Sequence, residues 1–219
     1  MIITVDGPAA AGKGTLSKKV AEKYCLAYFD TGMIYRAVGL MMLLDGYELS
    51  DEKKAEEKAG ELTFGRMMEL SKHKDFRSSK GGKAASMVSS CAGVRAKLLT
   101  MQRDFAKKPI YADGTPAMGV IYDGRDTGTV VCPDADIKFF VTAKPEIRAK
   151  RRYDEFVEKG VDADYNEVLA DVKMRDERDA TRKDAPMKPA EDAIIFDTSD
   201  LGIDEAFKKM VAIISQRIK

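Results

Sequence analysis

The chain has 219 residues, 44% hydrophobic and 33% charged, enough for one α/β domain with small insertions or at most two domains. Its 37 basic and 36 acidic residues leave a net charge of +1, which argues against a protein that coats nucleic acid, usually strongly basic throughout. The three cysteines (Cys25, Cys91, Cys132) are far apart and accompany one histidine (His73), no segment has the character of a secretory signal, and no window holds eighteen apolar residues in a row, so the reading is a cytoplasmic protein with free thiols, no zinc site and no membrane span.

Met1–Asp6 is a short β-rich apolar run ending at a glycine and reads as a buried parallel strand. A helix follows from Gly12 to Tyr24, with Leu16, Val20, Ala21 and Tyr24 at helical spacing. Leu26–Asp30 is a second strand, and residues 31–44 form a helix with Ile34, Val38, Met41 and Met42 on one face. Residues 47–83 are polar and rich in Lys and Glu. They predict a helix over roughly 51–60 and a short strand at Leu62–Met67, with Gly81-Gly82 as a turn.

Residues 84–107 read as helix and Lys108–Gly119 as loop. Val120–Gly124, Ile137–Ala143 and Ala193–Ser199 are three further buried strands, with helices at 145–159 and 164–182 between them. A closing amphipathic helix carries Ile203, Phe207, Met210, Val211, Ile214 and Ile218. Five strands separated by helices predict an α/β fold with a parallel sheet. Its functional residues should then follow the strands, near Asp6, Asp30, Asp123 and Phe196.

They do. Residues 7–15 read G-P-A-A-A-G-K-G-T, a glycine-rich loop between strand and helix. Gly7 and Gly12 permit backbone conformations that turn N–H groups inward, the helix N-terminus favours anionic oxygens, and Lys13 adds a mobile charge for outer phosphates. Gly14, not Ser or Thr, follows Lys13, and Thr15 comes one place later.

Three more constellations follow: Asp30-Thr31-Gly32-Met33-Ile34-Tyr35-Arg36, Asp123-Gly124-Arg125-Asp126-Thr127-Gly128-Thr129, and Arg175 to Arg182 on a predicted helix. Arg175, Arg178, Asp179 and Arg182 share one helix face; taken alone, that pattern also describes a solvated salt-bridged surface. Asp30 or Thr31 also reads as a helix cap, and Asp123–Thr129 as a plain turn. His73 reads as an exposed surface residue and the twelve methionines as core filler.

The motifs G-P-x-x-x-G-K-G-T, D-T-G-x-x-Y-R, D-G-R-D-x-G-T-V-V-x-P-D-A and R-D-x-R-D-x-x-R, in this order, resemble the bacterial cytidylate kinases, nucleoside monophosphate kinases of the P-loop class. The resemblance covers nearly the whole chain and is weakest between residues 47 and 83. It implies one P-loop kinase domain over 1–219, a five-stranded parallel sheet flanked by helices, with a nucleotide-binding insert at 36–95 and a lid at 150–165.

It further implies transfer of the ATP γ-phosphoryl group to CMP or dCMP in pyrimidine nucleotide metabolism. ATP would lie on Gly7, Pro8, Ala9, Ala10, Ala11, Gly12, Lys13, Gly14 and Thr15, with Arg152 or Arg151 reaching its phosphates from the lid. Mg²⁺ would be held by phosphates and water rather than by side chains. Asp30, Thr31, Tyr35, Arg36 and Arg125 would hold the acceptor phosphate end, and Ser86, Arg95 and Asp126 would read cytosine. Arg175 and Asp179 would hold the ribose, and Arg182 would reach phosphates, making Lys13, Arg125 and Arg182 the catalytic set. The family pattern is that of a monomer without nucleic-acid or membrane partners. The other readings are a kinase for UMP, AMP or shikimate, a regulatory module that binds ATP without transferring phosphate, and, least favoured by the charge balance, an RNA-binding protein.

Overall fold

The computed structural model describes residues 1–218. In chain order it contains β1 (Ile2–Asp6), α1 (Lys13–Tyr24), β2 (Ala27–Asp30), α2 (Gly32–Leu44), α3 (Glu52–Glu61), α4 (Phe64–Leu70), α5 (Ser79–Val88), α6 (Ala92–Lys107) and β3 (Val120–Gly124). A π-helical turn (Thr127–Val131) comes next, then β4 (Ile137–Thr142), α7 (Pro145–Glu158), α8 (Tyr165–Thr181), β5 (Ile194–Asp197) and α9 (Ile203–Arg217). The chain divides into two compact units, the first formed by residues 1–29 together with the chain from residue 108 onward, the second by residues 30–107.

The first unit is built on a five-stranded parallel sheet in the order β2-β3-β1-β4-β5. β1 is central, buried from Ile3 to Asp6, and pairs with β3 on one side and β4 on the other. A strand covered on both faces needs the continuous apolar run that its sequence shows. The register sets Asp6 level with Gly124, so the loops after β1 and β3 leave the sheet side by side. The chain goes from β1 to one side for β2 and β3 and to the other for β4, which makes the carboxyl end of β1 the crevice of the sheet.

Ile3, Val5, Leu16, Val20, Ile121, Phe139 and Val141 form the core with Met210 and Ile214 of α9. α7 and α8 make a smaller core of their own from Ala149, Val168 and Val172.

The second unit is helical, α2 to α6. α2 is buried at every position from Ala37 to Met42, as expected of a helix enclosed on all faces. It lies so close to α5 that a Cβ on Gly39 would stand 2.9 Å from the Ala84 Cβ.

Three sequence expectations are corrected in this unit. Leu62–Met67 is not a strand: the Thr63 hydroxyl accepts the Arg66 N–H at 3.1 Å, and Met67 and Leu70 turn inward at helical spacing. Gly81-Gly82 is not a turn but lies within α5, capped by the Ser78 hydroxyl. A Cβ at Gly81 would meet the Asp75 carbonyl oxygen at 2.2 Å, so close approach to the preceding loop, not chain reversal, requires glycine there. Residues 84–107 are two helices, since the Ser89 and Ser90 hydroxyls both donate to the Ser86 carbonyl where α5 ends.

His73 is half-buried, with Nδ1 accepting the Asp75 N–H at 3.2 Å, rather than exposed. The methionines are divided: Met42 and Met210 are fully buried, whereas Met118 is 91% exposed. In the loop before β3, Ile110 and Pro116 pair across a turn at Asp113-Gly114.

The packing of α2 on α5 makes a contrast measurable. Gly39→Val should lower stability by about 1–3 kcal/mol in urea unfolding, through overpacking against Ala84. Gly60→Ala, in α3 where a Cβ meets nothing within 4 Å, should raise stability by about 0.5–1 kcal/mol through helix propensity. Equal effects at the two positions would contradict the close approach.

Candidate active site

The loop after β1 takes its shape from three residues with positive φ: Gly7 at 139°, Ala10 at 59° and Gly12 at 87°. Gly7 is obligatory, because a Cβ there would lie 2.0 Å from the Val141 carbonyl oxygen. Lys13 opens α1 and is 5% exposed, its Nζ donating to the Pro8 carbonyl at 2.9 Å and lying 3.8 Å from the Asp123 carboxylate. Burial, reinforced by the Arg125 guanidinium, pulls its pKa down to about 8 against the attraction of Asp123. Gly14 has its own cause: a Cβ there would press on Asp123 Oδ2 at 3.1 Å.

The Asp6 carboxylate is buried at the end of the central strand. It accepts the Thr127 N–H and hydroxyl, each at 2.8 Å, and the Gly128 N–H at 2.7 Å. Burial pushes its pKa up to about 6, outweighing those three donors. The donors fix the π-helical turn after β3, so Asp123–Thr129 is more than a plain strand-end turn. The turn sets Asp126 at its start, where the Asp126 carbonyl accepts the Val130 N–H at 2.9 Å.

The structure brings four predicted residues of the first unit into contact. Arg125 Nε donates to Asp179 Oδ2 at 3.1 Å, and Arg182 lies 3.4 Å from Asp126 Oδ1. The side chains of Asp126, Asp179 and Arg182 are each under a tenth exposed. Arg175 lies close enough for its charge to help lower the Lys13 pKa. Of the face read from the spacing of Arg175, Arg178, Asp179 and Arg182, Asp179 and Arg182 are therefore buried and ion-paired rather than solvated, while Arg175 and Arg178 are partly buried.

Arg152 lies with its guanidinium 4.9 Å over the Phe156 ring and lines a cavity of 720 Å³ with Ala10, Ala11, Gly12 and Thr15. Arg151 lines it too, held by the Thr198 hydroxyl at 3.1 Å and the Thr198 carbonyl at 2.7 Å. Glu155 and Glu158 of α7 and Leu16 of α1 line it as well, and a further wall comes from Thr198, Leu201, Gly202, Ile203 and Ala206, none of which the sequence reading placed at a site. Their signal was available, since Thr198 directly follows β5 and strand-end residues were expected to matter. Arg148, one turn earlier on α7, is buried and faces Asp176.

The other six predicted residues lie on the second unit. Asp30 accepts the Gly32 N–H at 2.9 Å and so caps α2, while the Thr31 side chain makes no cap bond to that helix. Arg36 Nη1 donates to the Phe76 carbonyl at 2.9 Å. Arg95 is buried with its guanidinium 5.5 Å over the Tyr35 ring and Nη1 donating to the Ser89 carbonyl at 3.4 Å. Ser86 is buried on α5. Among the described residues no group of three or more His, Cys, Asp or Glu is arranged to hold a metal ion, and no helix is long and apolar enough to cross a membrane.

Comparison with known proteins agrees with the motifs. The family model described as cytidylate kinase matches residues 3–216. The chain is 47% identical to the cytidylate kinase of Paramagnetospirillum magneticum over 99% of its own length and 98% of the relative's. It is 45% identical to the cytidylate kinase of Xanthobacter autotrophicus over the same shares. A solved shikimate kinase from Bacteroides thetaiotaomicron shares only 15% identity but superposes with a TM-score of 0.51 over 98% of each chain, a likeness of fold. Such identity across the full length, together with a phosphate-type loop and three further motifs in one order, makes this chain a member of the cytidylate kinase family.

Proposed function

We propose that this protein transfers the γ-phosphoryl group of ATP to CMP and dCMP, giving ADP with CDP or dCDP. The observation that carries the reading is the two ion pairs Arg125–Asp179 and Arg182–Asp126, with all but Arg125 buried at the side chain, standing in the same unit as Lys13 and the glycine loop. Phosphoryl transfer asks the protein for alignment and positive charge more than for covalent chemistry. Lys13 and the inward N–H groups of the loop meet the donor phosphates. Leu201, Ile203 and Ala206 give the adjoining 720 Å³ cavity an apolar wall suited to the donor base, with Arg151 and Arg152 toward its phosphates.

On the acceptor side, Arg125 and Arg36 grip the dianionic phosphate, with Asp30, Thr31 and Tyr35 shaping the start of α2. Asp126, Ser86 and Arg95 read the base. An ionised carboxylate only accepts hydrogen bonds, so Asp126 suits the exocyclic amino group of cytosine and repels the carbonyl that uracil carries there. Arg175 and Asp179 hold the ribose, and Arg182 serves the phosphates from the far side of Asp126. The acceptor phosphate is already anionic, so no general base is needed. We further propose that the 36–95 insert and the 150–165 lid close on the substrates and exclude water.

The Asp123 carboxylate and the Tyr28 hydroxyl lie beside Lys13 and Gly14, and Thr15 lines the adjoining cavity. That sparse set fits a hydrated Mg²⁺ carried largely by ATP oxygens and water. Mg²⁺ supplies neutralisation of charge on the donor phosphates when bound. The free thiols suit a reducing cytoplasm, and a monomer acting on small molecules follows the family pattern.

Turnover of Mg²⁺-ATP to ADP, with CMP, dCMP, UMP, AMP and GMP offered separately, should favour CMP and dCMP clearly. ATP binding with no acceptor-dependent ADP from any of the five nucleotides would leave an ATP-binding module as the better reading. Asp126→Ala should lower kcat/KM for CMP by about tenfold to a hundredfold, the loss of a charge-assisted hydrogen bond, and lower that for UMP less. A uniform loss for both acceptors would remove the base-reading role from Asp126.

The Lys13 pKa near 8 gives a third expectation. A bound triphosphate favours the ammonium form, so affinity is complete below that pKa and falls above it, by about tenfold per pH unit at most. Calorimetry in two buffers at pH 8.5 should show proton uptake on binding a non-hydrolysable ATP analogue. Lys13→Gln should abolish that uptake; its persistence would point to another titrating group.

A further inference from the structure

Asp176 sits inside the R-D-x-R-D-x-x-R stretch, yet neither the donor nor the acceptor assignment uses it. Its partner is Arg148 of α7, which is 3% exposed. One guanidinium joins three elements there. Nε donates to the Ala143 carbonyl at 2.8 Å, just past β4. Nη1 donates to the Ala9 carbonyl at 3.1 Å, in the loop after β1, and to Asp176 Oδ1 at 3.0 Å. Nη2 donates to Asp176 Oδ2, completing a two-pronged pair.

Each contact constrains something functional. A trans peptide is planar, with its carbonyl and N–H pointing in opposite directions. Holding the Ala9 oxygen toward Arg148 therefore fixes the direction of the Ala10 N–H, at the residue whose φ of 59° shapes the loop. On the other side, Asp176 follows Arg175 directly and precedes Asp179 by one helical turn, so holding its carboxylate sets the rotation of the α8 face that carries both. A buried ion pair adds little net stability against an apolar pair of similar size, but its fork geometry specifies position. All of these residues belong to the first unit.

We propose that Arg148 and Asp176 are positioning residues that couple the phosphate loop to α8, so that a triphosphate seated in the loop sets Arg175 and Asp179 for the acceptor. This rests on the reaction assigned above and adds to it a route by which donor occupancy improves acceptor binding.

The test uses the full chain, a non-hydrolysable ATP analogue and CMP. Hydrogen exchange of the α8 amides is followed with and without the analogue, and CMP affinity is measured by calorimetry in the same two states. In the unsubstituted protein the analogue should slow exchange in α8 and tighten CMP by about tenfold. Asp176→Asn should bind the analogue within about threefold of that protein while losing both responses, with kcat lowered by about tenfold or more.

Because a lone buried Arg148 could unfold α8, the double variant Arg148→Met/Asp176→Leu replaces both charges by apolar side chains. It should melt near the parent temperature and still lack both responses. A folded double variant that keeps the α8 protection and the tighter CMP binding would overturn the proposal, as would a parent protein showing neither response. The exchange readout needs no acceptor, so a failure of CMP to bind would sink the assigned reaction while α8 still decides the pair.

Discussion

Asp6 ends the central strand with its carboxylate buried, and three donors from the turn after β3 converge on it. A buried carboxylate without such partners would be very costly, so the turn and the strand end specify each other. Gly128 belongs to the same constraint: a Cβ there would stand 2.8 Å from the Thr4 hydroxyl and 3.4 Å from Asp6 Oδ2. Through this junction the position of Asp126 follows from the sheet, and with Asp126 that of Arg182. The sheet register supplies the other half, placing the loop after β1 next to the loop after β3.

Charge in the first unit is concentrated and paired. Lys13 faces Asp123, Arg125 faces Asp179, Arg182 faces Asp126 and Arg148 faces Asp176. A chain of net charge +1 thereby carries a strongly charged interior. Pairing offsets the cost of burial and holds each cation at a set place, which suits a reaction that needs fixed positive charge more than a reactive side chain. Lys13 shows the residual cost, since its ammonium form is disfavoured relative to a lysine in water.

The second unit solves a different problem. Around the apolar α2, the polar helix α3 buries only Ala55 and Ala59, and α2 and α5 pack by close approach at glycine. Gly39 against α5 and Gly81 against the Asp75 carbonyl let backbones come nearer than side chains would permit. The same loop provides the Phe76 carbonyl that receives Arg36. Contacts of this kind leave little periodic trace, because what matters is the absence of a side chain.

The sequence by itself determined the five strands of the sheet, the helices of the first unit and the glycine-loop chemistry, because buried parallel strands and phosphate-binding loops need particular residues at particular spacings. It also singled out Arg125 and Asp126 in the turn after a strand, and Asp179 and Arg182 on a helix face that, taken alone, also described a solvated surface. Only the tertiary structure decided that this face is buried against the turn after β3, because pairing between residues more than fifty positions apart depends on sheet register. Only it turned Leu62–Met67 into a helix, where the Thr63 cap outweighed a β-like composition. The wall of Thr198, Leu201 and Ile203 and the Arg148–Asp176 pair likewise exist through long-range packing, which local propensity does not encode.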